Sequence, residues 1–144
     1  MQAKFDRLRP VFQRDITGCA IASTAWIAGE EYAAVKRGAE EIGVDILKPS
    51  LWSDVAPMRQ LLQRFDISVG AREIPFQSWG ALPDQALLAV KWHLEQGRPH
   101  WHWSVFSRQE GGAFVMDPKK ALKTNIRTDF GRIKPKWYIE LLAE

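Results

Sequence analysis

The sequence predicts an α+β fold, with helices first and then one segregated antiparallel sheet. Three observations predict it. Apolar residues recur at helical spacing through the first half, up to Phe65. The second half breaks into compact runs rich in β-branched and aromatic residues, such as ALLAVKWH, HWHWSVFSR, AFVMD and WYIELL. Between two of these runs stands QEGG, a hairpin signal. Helices grouped before strands argue for a sheet kept to one side of the helices, not for alternating βαβ units.

Residues 18–28, GCAIASTAWIA, are apolar almost all round, which predicts a buried helix. Thr17 is placed to cap it and Gly29 to end it. A second helix is expected over 31–42, with Tyr32, Val35, Ala39 and Ile42 on one face and Gly43 as a stop. Ser53 is placed to cap a third, in which Val55, Met58, Leu61, Leu62 and Phe65 share a face. Pro57 falls in its first turn, where proline is tolerated. Residues 67–74, ISVGAREI, then read as a strand, and 75–84 as a loop with two prolines and a glycine. Residues 86–93 suit a central strand, 95–99 a turn, 100–108 and 113–117 a hairpin around QEGG, and 137–142 a last strand.

The 144 residues suit a single domain over 1–144 with a core of its own. No apolar run is long enough to span a bilayer, and the charged N-terminus, MQAKFDRLRPVFQRD, has no secretory signal pattern. The expected location is cytoplasmic as synthesised, with export by a signal-independent route left open. The net charge of +3 does not by itself imply nucleic acid, and no nucleic-acid partner is expected. Lys119, Lys120, Lys123, Arg127, Arg132, Lys134 and Lys136 crowd one stretch with only Asp129 among them. They read as a solvated basic edge, the sharper alternative being a patch for an acidic partner. Seven tryptophans are mostly core material, but Trp101 and Trp103 flank a histidine and so also have a claim on a site wall.

The one cysteine excludes an intramolecular disulfide and a four-cysteine zinc site. A lone cysteine is usually a small buried hydrophobe. Cys19, however, falls at the start of the predicted buried helix. Backbone N–H groups there favour an anion, and so favour thiolate over thiol. Three histidines are available as a base. His102 lies mid-strand with apolar neighbours, His100 shares its face, and His93 ends the preceding strand facing solvent. Asp117, before Pro118, falls beside the His102 strand if the hairpin pairs around QEGG, so its carboxylate is placed to fix an imidazole tautomer. Gln13, six residues before Cys19, offers a side-chain amide to a developing oxyanion. A His-x-His zinc site with Cys19 is the rival reading, but its spacing fits no common zinc pattern, and neither metal nor cofactor is expected.

Gln13, Cys19 opening a helix of small apolar residues (QRDITGCAIAS), His102 beginning HWSVF, and Asp117–Pro118 fifteen residues after it resemble the bacteriocin-leader peptidase family of the papain-like superfamily. The likeness runs from about Gln13 to Pro118. It implies a papain-like fold, with a helical lobe carrying Cys19 packed on a sheet lobe carrying His102 and Asp117. It implies a cysteine peptidase with Gln13 in the oxyanion hole, working through a thioester. A peptide or protein substrate is implied, either a double-glycine leader or, for a free-standing bacterial toxin or effector domain, a host or rival protein. An inhibitor or immunity protein is then a further expected partner. The same triad on this fold also serves deamidation and acyl transfer, and a non-catalytic binding module of the fold is the last alternative.

Overall fold

A computed structural model of the chain describes residue 11 and residues 18–44, 54–119 and 125–142. Among these, the elements run α1 (Cys19–Ala28), α2 (Tyr32–Glu41), α3 (Ala56–Arg64), β1 (Ile74–Pro75), β2 (Gln85–Glu95), β3 (Arg98–Gln109), β4 (Gly112–Met116), β5 (Ile126–Arg127) and β6 (Pro135–Glu140). The strands form a six-stranded sheet in the order β1-β6-β2-β3-β4-β5, and every pairing is antiparallel. The α+β class with a segregated sheet is as the sequence predicts. No helix among the described residues is long and apolar enough to cross a membrane.

The helices form where the apolar spacing places them. In α1 every residue from Cys19 to Ile27 is buried, as a helix apolar almost all round requires. Gly29 ends it in the left-handed region at φ 72°, where a side chain is strained and glycine is not. The N-cap is Gly18, whose carbonyl accepts from Ala22 N–H at 2.9 Å; Thr17 lies outside the described residues. The second helix buries Tyr32, Val35 and Ala39 as expected, but Ile42 falls just past its end and is exposed. Gly38 is set by close approach, since a Cβ there would lie 2.6 Å from the Phe65 ring. In α3, with Pro57 in its first turn, Met58, Leu61 and Leu62 are buried. Ser53, its expected cap, lies outside the described residues.

The sheet has two covered faces. Leu87, Ala89, Trp101, Trp103, Val105, Met116 and Ile139 share a core with the three helices. Alternation sends Ala86, Leu88, Val90, Phe106 and Val115 to the other face, where Leu82, Ile133 and partly buried Trp79 and Phe130 cover them. Trp79 meets Phe76, Phe106 and Phe130 with ring centroids 4.8–5.9 Å apart. Arg108 pins this cover by donating to the carbonyls of Leu82 and Trp79, each at 2.9 Å.

Several boundaries differ from expectation. Residues 67–74 do not form a strand of their own. Only a Val69–Leu141 bridge and the short β1 pair there, because Asp66 takes φ 61° and the segment runs as a bend along the sheet edge. The turn expected at 95–99 shrinks to Gln96–Gly97, with both residues in the left-handed region. Near the middle of the sheet β2 carries a bulge, since Val90 faces His102 but His93 faces His100. The extra residue is accommodated by Lys91 at φ 55°. The fifth strand has no counterpart in the sequence reading.

Candidate active site

Cys19 is the first residue of α1 and only 5% exposed. Its sulfur meets the sheet at a gap. The β3–β4 ladder stops at Val105–Met116, so β3 runs on past Trp103 without β4 alongside. There the Trp103 N–H donates to Cys19 Sγ at 3.5 Å, and Ser23, one turn along α1, donates its hydroxyl to the Trp103 carbonyl at 3.4 Å. The helix start is thus fastened to both backbone polar groups of one strand residue, Trp103. Trp101 and Trp103 point to the helix side, are buried, and stack edge-to-face with each other and with Trp137 at 5.1–5.7 Å.

His102, adjacent on the same strand, is 15% exposed and hydrogen-bonded through Nε2 to Asp117 Oδ1 at 2.8 Å. Cys19 is its other polar neighbour. Burial pushes the imidazole pKa down, but the Asp117 bond and the charges of Cys19 and Asp117 outweigh it and lift the value from 6.5 to about 9. These neighbours favour the protonated imidazole. Asp117 sits just past the end of β4 and is 1% exposed. Burial pushes its carboxyl up, yet the His102 bond and charge, the Lys119 N–H and Arg127 hold it down at about 2.

The Asp117 turn is held by residues that the sequence reading passed over. Asn125 donates its amide to the carbonyls of Asp117 at 2.6 Å and Lys119 at 2.9 Å, and its own carbonyl accepts from Asp117 N–H at 2.8 Å. Arg127, read above as one of several solvated cations, instead donates to Asp117 Oδ2 at 3.0 Å. A clue was available, because Asp129 stands two residues after Arg127 and so on the same side of an extended chain.

The structure brings Cys19, His102 and Asp117 together, with His102 hydrogen-bonded to Asp117 and next to Cys19. Gln13 lies outside the described residues. His100, on the parity of His102, is buried and stacks on exposed His93, whose Nε2 pairs with Glu95 at 2.6 Å. Chemically the line offers a sulfur nucleophile, an imidazolium and a fixed carboxylate. No protein-family model, curated protein or solved structure matches this chain.

Proposed function

We propose that this chain is a cysteine hydrolase that cleaves an amide bond of a peptide or protein through Cys19, His102 and Asp117. The observation that carries the reading is the spatial order thiol, imidazole, carboxylate, drawn from a helix start, a mid-strand position and a strand end. A structural cysteine gains nothing from such neighbours, whereas a nucleophile needs a base and the base needs an orienter.

In this mechanism the thiol proton resides on His102 and Cys19 Sγ attacks the carbonyl carbon of the substrate. The carbonyl π electrons move to oxygen, where the Cys19 N–H and the Gln13 amide are the proposed donors. Collapse breaks the C–N bond, and the leaving amine takes the proton from His102. Water, deprotonated by His102, then attacks the thioester; a carboxylate leaves and Cys19 is regenerated. Asp117 holds one imidazole tautomer throughout. The likeness to leader peptidases supports a papain-like assignment of the fold and a peptide substrate, and a toxin or effector role fits the same chemistry.

The test is incubation of the full chain with candidate peptides and proteins, beside Cys19→Ala, and mass analysis of the products. New chain ends formed only by the unaltered protein support peptide hydrolysis. A deamidated side chain or an added acyl group would reassign the reaction on the same triad. No product at all, with Cys19 no more reactive than free cysteine, would leave a binding module.

A further inference from the structure

We infer that Arg127 and exposed Asp129 extend the Cys19–His102–Asp117 line into a five-member row of alternating charge, in which Arg127 is a positioning residue that fixes the Asp117 carboxylate. The meaning of the first three members rests on the proposed function. The geometry of the last two stands apart from it.

A carboxylate with 1% exposure is costly unless its lone pairs are engaged. Oδ1 accepts from His102 Nε2 at 2.8 Å and from the Lys119 N–H at 3.1 Å, whereas Oδ2 accepts from Arg127 at 3.0 Å. Arg127 thus holds the oxygen that His102 does not. Its remaining nitrogens are also committed: Nε donates to Asp129 Oδ1 at 2.9 Å and a terminal nitrogen to Oδ2 at 2.6 Å. A planar guanidinium clamped on both sides cannot swing, so it sets the plane of the Asp117 carboxylate and with it the aim of Oδ1 at the imidazole. Lysine in its place keeps the charge but cannot grip two carboxylates in one plane.

Other charges face Asp117. From β2, Lys91 feels the attraction of Asp117 and the repulsion of Lys119 and Arg127; Lys119 reaches the carboxylate through its backbone N–H. Neither lysine side chain takes the place of Arg127 on Oδ2. The outer end of the row is open to solvent, with Asp129 41% exposed against 14% for Arg127. A change at the surface is thereby coupled to the thiol through four successive contacts.

The test uses the full chain with Arg127→Met, Arg127→Lys and Asp129→Asn. Two quantities are read: the rate of Cys19 alkylation by iodoacetamide across pH, and the downfield proton resonance of the His102 Nε2–H. Arg127→Met is expected to lower alkylation at neutral pH about tenfold. It should also move the acid limb upward, because Asp117 regains its proton more readily, and exchange-broaden the Nε2–H signal. Arg127→Lys should restore the acid limb, which follows charge, but not the full rate, which follows geometry. Asp129→Asn should act in the Arg127→Met direction by a smaller factor. If Arg127→Met does not fold, the Lys and Asn variants carry the comparison. Folded variants with the limb, the rate and the resonance all unmoved would overturn the inference. If instead Cys19 of the unaltered protein reacts like free cysteine, the proposed function fails, and the resonance alone still decides the role of Arg127.

Discussion

Cys19 and Asp117 are both nearly fully buried, at 5% and 1% exposure, yet they are held differently. Around Cys19 the chain is apolar: Ala20, Ile21, Ala22 and Trp26 pack into the helix-facing core, and the sulfur's neighbours are the Trp103 N–H and His102. Around Asp117 the chain is polar: both carboxylate oxygens, the peptide N–H and the carbonyl each have a partner, supplied by His102, Lys119, Arg127 and Asn125. Packing sets where the nucleophile stands, whereas hydrogen bonds set how the orienter points. Packing tolerates loss of a polar atom at Cys19, but a network of buried charge does not tolerate loss of one at Asp117.

Substitutions at the two ends should therefore separate activity from stability. Cys19→Ala removes the nucleophile from an apolar pocket; turnover should fall by at least ~10⁴-fold with the melting temperature nearly unchanged. Asp117→Asn should cost about 10³–10⁴-fold in kcat, and it should also destabilise, because partly buried Arg127 loses a carboxylate. An Asn variant as stable as the unaltered chain would erase the distinction between the two ends. Trp26→Ala acts through the α1 core alone, where Trp26 packs edge-on to Phe114 at 5.9 Å. Denaturant titration should show a loss of about 3–5 kcal/mol, with alkylation of the folded fraction largely kept.

The pH dependence sharpens the same contrast. The folded pKa of His102 lies above its ordinary 6.5, so its contribution to stability is complete below that value and is lost as pH rises through about 9. Turnover should decline over the same range, as the imidazolium disappears. For Asp117 the shift is opposite: its contribution is present above 3.8 and is lost as pH falls through about 2. Denaturation curves across pH should show both declines, and His102→Ala should flatten the alkaline one. The smallest expected effect is that of Ser23→Ala, which loses one hydrogen bond to the Trp103 carbonyl and about 1 kcal/mol.

The apolar end was legible in the sequence and the polar end only in part. A buried helix announces itself by a nearly continuous apolar run, so α1 and Gly29 are readable, as is Cys19 at the helix start. The hairpin signal carried Asp117 to the His102 strand because register follows from a short turn. Nothing periodic marks a two-residue strand, so β5 is not readable, and Arg127 reads as a solvated cation. The offsets of 8 and 10 residues that join Asn125 and Arg127 to Asp117 fit no helix or strand repeat. The β2 bulge was equally silent, since Lys91 carries no glycine to signal its positive φ. Residues 67–74 were over-read because β-branched residues suit an edge bend as well as a strand.

The most direct measurement is the rate at which Cys19 reacts with a small electrophile at neutral pH, beside free cysteine, in the unaltered chain and in His102→Ala and Asp117→Ala. The expected rate is well above that of free cysteine, with most of the excess lost in His102→Ala and a large part in Asp117→Ala. A rate equal to that of free cysteine, or one indifferent to His102, would contradict the proposed triad.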